Sequence, residues 1–188
     1  MKKFVRLTAF MLSALSLAFI VSCGDDDEED DGPSVVGSYQ FTSAVTAADG
    51  PLDATGQVVT DQEGNPLLPT GVDVVEQVNA ALLGGAADLC DDAANVRVTL
   101  DDSGSLLYTC SNSDASADNG EWQQLSDTDL RLTINFDGIG PIPVDINSLV
   151  ISETQLSGNI ANLPLPGDVI GLPDPLITLN LDVVLARD

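Results

Sequence analysis

The sequence predicts a mainly β domain, an antiparallel barrel or sandwich with one short helix, and three observations support this prediction. Apolar and polar side chains alternate along most segments after residue 35, as they do on strands that cover a core with one face. Gly, Asn, Asp and Ser cluster between these segments, where tight turns need them. Only the segment near residues 70–84 places apolar residues at helical spacing.

The first half of this domain predicts three strands. Residues 35–43 alternate apolar and polar side chains and form the first of them. Residues 95–100 and 105–110 alternate in the same way, and the Asp, Ser and Gly of residues 101–104 favour a turn between them. These two segments therefore predict a β-hairpin.

The second half adds strands of two kinds. Strong alternation predicts strands at residues 120–125, 130–136 and 177–185. Residues 137–175 hold six of the ten prolines and predict two weaker strands, at 139–151 and 155–163. Because proline cannot donate a ladder hydrogen bond, we expect these two strands to be short or at an edge of the sheet. The total is eight to ten strands.

One helix is predicted between residues 70 and 84. Thr70 can cap its start, Asp73 stands three residues further on, and the glycine pair at 84–85 ends it. Its apolar side chains at helical spacing are Val75, Val78 and Leu82. We expect this helix to act as a lid or plug on the sheet.

Ahead of the domain, residues 1–22 have the composition of a secretory signal peptide. Three basic residues are followed by residues 7–21, a mostly apolar run of 15 residues. A membrane-spanning helix needs about 20 apolar residues, so this run is short for one. We therefore predict a signal peptide at residues 1–22, an acidic tether at residues 23–34 and the β domain at residues 35–188.

The residues around Cys23 are similar to a known processing site. The sequence Ile20-Val21-Ser22-Cys23 resembles the lipobox that lipoprotein signal peptidase reads. The resemblance implies that Cys23 carries two or more acyl chains such as palmitate. Each buried CH₂ contributes ~0.8 kcal/mol and stable anchoring takes about two chains, so the membrane is the expected partner of this end. The alternative is an ordinary secreted protein with a chance cysteine.

The tether is rich in acidic residues, with seven in a row at residues 25–31. Like charges repel and extend the chain, so this segment predicts a spacer between membrane and domain. Acidic tracts next to a lipidated cysteine also resemble those that send some Gram-negative lipoproteins to the outer surface. We therefore expect a cell-envelope protein, anchored in the outer membrane of a Gram-negative bacterium and exposed on its surface.

Charge and composition narrow the possible functions. Three arginines oppose 30 acidic residues after residue 22, which gives a formal charge of −27. Such a surface repels nucleic acid, which we do not expect as a partner. The chain has no histidine, and it shows no nucleophile elbow, phosphate loop or zinc motif. We therefore expect no enzyme activity and no cofactor.

Two cysteines remain for the domain. In an oxidising compartment, Cys90 and Cys110 predict a disulfide that closes a loop of 21 residues. The alternatives are two free thiols or a metal site, but zinc is disfavoured in a chain without histidine. The acidic turns at 61–65 and 101–104 do not match a full calcium-binding loop. We therefore expect no metal.

The order of motifs between residues 90 and 136 resembles a known family. Cys90 is followed by a strand, a turn, a second strand with Tyr108 and Cys110, a polar loop, Gly120-Glu121-Trp122 and another strand. This order looks like the lipocalin-like domain of many surface or periplasmic bacterial lipoproteins. The Gly37-Ser38-Tyr39 sequence resembles the Gly-x-Trp that opens such domains, with Tyr in place of Trp.

The resemblance implies an up-and-down barrel with one closed end and one open cup. It also implies that a basic side chain near the last strand, here Arg187, packs over the aromatic side chain of Tyr39. An eight-stranded barrel can be wide enough for one small molecule. The expected ligand is small and apolar or amphipathic.

The candidate lining residues of this cup share an inward position on a predicted strand. They are Tyr39, Phe41, Val98, Tyr108, Trp122, Leu132, Ile134, Leu179, Leu181 and Val183. The simpler alternative is that these side chains only fill a core. Another alternative is a surface interaction or adhesion module, with an immunoglobulin-like sandwich, that assists an uptake complex. The sequence names no protein partner.

Overall fold

In a computed structural model, residues 33–83, 89–90, 92–136, 140–172 and 176–188 are described. The predicted signal peptide, Cys23 and most of the tether lie outside these residues, as does the predicted helix end at 84–85. The domain from Pro33 to Asp188 is one compact unit. Within the described part of the chain, no helix is both long enough and apolar enough to cross a bilayer.

Eight antiparallel strands form the domain, and each pairs with the next along the chain. They are β1 (Gly37–Thr46), β2 (Val96–Leu100), β3 (Ser105–Cys110), β4 (Ser116–Ser126), β5 (Asp129–Phe136), β6 (Gly140–Ile151), β7 (Gln155–Leu165) and β8 (Ile177–Arg187). Because β8 also pairs with β1, the sheet closes into a barrel. The predicted mainly β fold is confirmed, as a barrel and not a sandwich.

The predicted alternation fills this barrel with apolar side chains. Along β8, every second residue from Ile177 to Leu185 is buried, and the residues between them are more exposed. β5 shows the same pattern. Burying one such side chain contributes about 1.5–3 kcal/mol, which makes the shared interior the main source of stability.

The barrel has two ends that the chain builds differently. The lower end contains the start of β1, the end of β8 and the β2–β3 turn. The upper end contains the end of β1 and the start of β2, which are joined by residues 47–95. This long connection includes the helix α1 (Val75–Leu83), and a 3-10 turn at Gly167–Ile170 lies in the β7–β8 connection.

The helix begins later than the sequence predicts. Thr70 does not cap it, because its backbone N–H and hydroxyl both donate to Oδ1 of Asp49, at 2.9 and 3.0 Å. The side chain of Asp73 takes that role and accepts a hydrogen bond from the backbone N–H of Val75 at 2.9 Å. A local carboxylate therefore sets the start of α1.

The two proline-containing strands lie close to the predicted positions, and they are not short. β6 has 12 residues and β7 has 11, so the expectation of short strands is wrong. The expectation of an edge position is met by the first half of β6. Residues 140–145 of β6 pair with β5, whereas pairing with β7 begins only at Ile146. Pro141 and Pro143 fit the ladder because their nitrogen atoms need no partner on the side away from β5.

Candidate functional site

The lower end of the barrel is closed by Arg187. Its guanidinium carbon lies 5.4 Å from the centre of the Tyr39 ring, and its Nη2 donates to Tyr39 Oη at 2.9 Å and to the carbonyl of Val36 at 2.6 Å. A Cβ on Gly37 would lie 2.8 Å from Arg187 Nε, so the close approach needs glycine. The predicted packing of Arg187 over Tyr39 is confirmed.

The hydroxyl group of Tyr39 completes this closure. It donates a hydrogen bond to the carbonyl of Val35 at 2.8 Å, and the side chain of Val35 is itself buried. Burial raises the pKa of Tyr39, while the charge and hydrogen bond of Arg187 oppose that rise. The phenol therefore stays protonated at neutral pH and can keep donating to Val35.

The upper end is closed by residues 47–83, which we call the lid segment. It is attached to β1 by backbone hydrogen bonds, from Thr46 N–H to Val72 at 2.9 Å and from Val74 N–H to Ala44 at 2.8 Å. The buried hydroxyl of Thr46 also donates to the carbonyl of Pro69 at 2.7 Å. The lid segment therefore continues the wall where β1 no longer pairs with β2.

Helix α1 directs its apolar face into the barrel. The side chains of Val78 and Leu82 are buried in the common core, and the hydroxyl of Tyr108 donates to the carbonyl of Leu82. Burial raises the pKa of Tyr108 far above its ordinary value, so this hydroxyl stays a donor. The predicted position of the helix, as a lid on the sheet, is confirmed.

A partly buried amide, that of Asn79, also lies between α1 and the wall. Asn79 Nδ2 donates to the carbonyl of Phe41 at 3.4 Å, beside an irregularity in the β1–β8 ladder. Asn79 Oδ1 is buried, and among the described residues it has no hydrogen-bond partner. A buried acceptor without a partner costs free energy, so this position favours a donor that the described residues do not supply.

The predicted disulfide is present at the same end. Cys90 and Cys110 are bonded, with their Cα atoms 5.7 Å apart. Cys110 ends β3, and Cys90 follows the lid segment in the chain. The bond therefore ties the far side of the long β1–β2 connection to the rim of the barrel.

The predicted lining residues come together inside the barrel, with one partial exception. The fully interior ones are each at most 5% exposed; they are Tyr39, Phe41, Val98, Tyr108, Leu132, Ile134, Leu179, Leu181 and Val183. Trp122 is half-buried beside its cross-strand neighbour Leu132, and its indole N–H donates to the carbonyl of Asp101 at 2.9 Å. These side chains form one core cluster or pack against it, and ligand binding by them remains a prediction.

A shallow surface cavity of ≈ 610 Å³ lies beside this core and was not predicted. Its lining comes from β4, β5, β6 and the β2–β3 turn, and consists of Ser103, Gly104, Glu121, Trp122, Gln123, Arg131, Thr133, Pro141 and Pro143. Arg131 donates to both carboxylate oxygens of Asp145, at 2.7 and 2.8 Å. These hydrogen bonds lower the pKa of Asp145 and raise the pKa of Arg131. No single segment carries a signal for this cavity, because strand register assembles it.

The acidic turns use their carboxylates for structure. In each of three turns, an Asp Oδ1 accepts backbone hydrogen bonds from the residues two and four positions later; these residues are Asp53, Asp61 and Asp101. Hydrogen bonds within the turn lower the pKa of each of the three carboxyl groups. Among the described residues, no three Asp, Glu, Cys or His side chains converge on one point.

Together these features define a class of protein: an eight-stranded, up-and-down antiparallel barrel with one short helix, consistent with a lipocalin-like fold. Comparisons with protein-family models, with curated proteins and with solved structures find no match to this chain.

Proposed function

We propose that this protein is a membrane-anchored exported lipoprotein of lipocalin-like type whose barrel binds a small apolar or amphipathic ligand. The observation that carries the proposal is the closed, eight-stranded barrel with an apolar interior. A barrel of this strand number can hold one small ligand. The apolar lining favours a ligand that gains free energy by leaving water.

The upper end supports an amphipathic ligand in particular. Asn79 Oδ1 is a buried acceptor without a partner among the described residues, and the hydroxyl of Tyr108 lies in the same half of the barrel. A ligand whose polar group donates a hydrogen bond would pair with Asn79 Oδ1 and leave its apolar part among the core side chains. Because those side chains are buried against one another, the wall or the lid segment must move before a ligand enters.

A titration with a neutral apolar fluorophore, N-phenyl-1-naphthylamine, tests this proposal. Residues 33–188 are used, since they contain the whole described core, and the fluorescence of the fluorophore itself reports binding. We expect saturable binding that Ala44→Phe weakens at least tenfold, because Ala44 is fully buried in the barrel. Ala117→Phe, at an exposed position of β4 outside the lining of the surface cavity, is the matched control.

Two results would reject ligand binding. One is the absence of saturable binding by a wild-type domain that circular dichroism shows to be folded. The other is equal affinity of the two Ala→Phe variants, which would place the fluorophore outside the barrel. Extra volume in a core costs about 1–3 kcal/mol, so thermal unfolding of both variants must first show that they fold.

The anchor at Cys23 is the second part of the proposal and rests on the sequence of residues 1–34. The proposed lipid anchor holds the barrel on the outer membrane, so the membrane is the proposed partner. We propose no nucleic-acid partner, no cofactor and no catalytic role. We expect the wild type in the membrane fraction with an acylated Cys23, and Cys23→Ser in the aqueous fraction. Wild-type protein found in the aqueous fraction, with residues 1–22 attached and Cys23 unmodified, would contradict the anchor.

The surface cavity favours a second candidate, a protein-interaction module that assists an uptake complex. The closed barrel removes the sandwich form of that hypothesis. Thr133 lies in the lining between larger neighbours, so Thr133→Trp would fill the cavity. Crosslinking in intact membranes should then lose a partner that the Ala117→Phe control retains; an unchanged crosslinking pattern would reject this candidate.

A further inference from the structure

The wall of the barrel is not equally bonded around its circumference. β7 and β8 pair from Leu165↔Ile177 at the upper end to Gln155↔Ala186 at the lower end. β6 and β7 pair only from Ile146↔Ile160 downward. The upper parts of the two strands, residues 140–145 and 161–165, have no ladder between them among the described residues. We call this interval the seam.

Both borders of the seam are poor in backbone donors. On the β6 side, Pro141 and Pro143 have no N–H, and on the β7 side the same is true of Pro164. The N–H of Asn162 is already used, because it donates to Asn180 Oδ1 on β8 at 2.9 Å. A ladder cannot readily form here even if the two borders approach each other.

The strand β7 also changes direction at the seam. Asn162 has a φ of 56°, in the left-handed region, and the β7–β8 register shifts between Ile160 and Leu163. A bulge of this kind bends the strand and ends pairing on one side. The separation of β7 from β6 is therefore built into the backbone.

A second interval without a ladder lies between β1 and β2, but other backbone bonds replace the ladder there. β1 pairs with β2 only through Gly37, Ser38 and Tyr39, but the lid segment bonds to the free part of β1. At the seam, the described residues offer no such replacement. The buried side chains there are Val144, Leu163 and Leu165, which are 3%, 0% and 0% exposed.

We infer that the seam is the part of the wall that opens, and that it is the route by which a small apolar ligand reaches the barrel interior. The route rests on the proposed ligand binding, but the opening does not. Parting the seam separates apolar side chains without breaking a ladder hydrogen bond. Lifting the lid segment instead breaks its backbone bonds to β1 and the bond from Tyr108 to Leu82. Each hydrogen bond contributes about 0.5–1.5 kcal/mol, so the seam opens more easily.

The surface cavity supports this route. Pro141 and Pro143 line it and also form the β6 border of the seam. The cavity therefore ends beside the interval where the wall has no ladder. A ligand held there would lie next to the opening.

Reaction of buried cysteines with N-ethylmaleimide tests the seam without any ligand. The full-length chain in native membranes carries Leu163→Cys at the seam, Leu181→Cys in the paired wall or Val78→Cys on α1, all three positions being 0% exposed. Leu181 is the matched control because its strand pairs on both sides, with Thr46 and with Ile160. Peptide mass spectrometry assigns the label, so Cys23 and the disulfide cysteines are distinguished.

We expect Leu163→Cys to react at least ten times faster than Leu181→Cys and Val78→Cys under native conditions. A second pair, Val144→Cys at the seam and Leu132→Cys in the paired wall, repeats the comparison if one variant does not fold. Equal rates at the seam and in the paired wall would overturn the inference. So would fastest reaction of Val78→Cys, which would make the lid the moving part. Fast labelling at the seam without fluorophore binding would retain the opening and reject the ligand route.

Discussion

The two ends of the barrel are closed by different means. At the lower end, one side chain, Arg187, joins the aromatic ring of Tyr39 to the backbone where β1 begins. At the upper end, a long connection supplies a helix, backbone bonds to β1 and a disulfide. The lower closure depends on a few short contacts, whereas the upper one spreads over many residues. The comparison shows that one barrel core can be closed by a few contacts at one end and by an extended segment of chain at the other.

The largest expected effect concerns the upper end. Replacing both cysteines, as Cys90→Ala with Cys110→Ala, should lower the free energy of unfolding by about 3 kcal/mol, because a bond that closes a loop of this length restricts the unfolded chain. Urea denaturation measures the loss. Relative to the wild type, hydrogen exchange in the variant should accelerate more in α1 than in β8. Equal acceleration of both would contradict a local role of the disulfide at the upper end.

Removal of the lower closure should cost somewhat less. Arg187→Ala deletes the cation–π contact and hydrogen bonds to Tyr39, Val36 and Ser34, so we expect a loss of about 2 kcal/mol in the free energy of unfolding. Arg187→Lys is the matched control, since it keeps the charge over the ring and should lose about half as much. If the alanine variant unfolds at the same urea concentration as the wild type, the contacts of Arg187 do not stabilise the folded barrel.

The two tyrosines allow the same substitution at both ends. Tyr39→Phe removes a donor to Val35 and an acceptor for Arg187, while Tyr108→Phe removes only a donor to Leu82. We expect losses of about 1.5 and 1 kcal/mol respectively, measured by urea denaturation. Hydrogen exchange in α1 should rise only in Tyr108→Phe. An equal rise in both variants would mean that the two ends are coupled.

The smallest effect is a difference in ionisation between the ends. Burial raises the pKa of both tyrosines, but Arg187 opposes the rise only at Tyr39. A spectrophotometric alkaline titration should therefore ionise Tyr39 before Tyr108, with Tyr39→Phe as the assignment control. Because the folded pKa values exceed the ordinary 10.0, the stability they contribute is present below pH 10 and is lost as pH rises further. Ionisation of Tyr108 first would reverse the predicted order.

Much of the interior could be predicted because burial repeats every second residue on a strand. The strand of residues 177–185 has this period, and its inward residues are those that the alternation selects. The disulfide also followed from sequence, since only two cysteines remain in the domain. The packing of Arg187 on Tyr39 followed from family resemblance and was not evident from spacing.

Other features could not be predicted, because they depend on residues far apart in the chain. Thr70 has a good capping side chain, but a partner 21 residues away, Asp49, uses it instead. The prolines of β6 predict a weak strand, yet the strand is long because pairing is needed on only one side. The surface cavity and the orphan acceptor of Asn79 likewise arise only after strand register and helix position are set.

The sequence by itself determined which residues face the interior, where most strands lie and which cysteines pair, because these follow from local periodicity and composition. Tertiary structure alone decided that the sheet closes through β1 and β8, that the lid segment completes the wall, and that β6 and β7 separate at the seam. Closure and separation are set by register between strands, and register is a property of the whole barrel that no single segment contains.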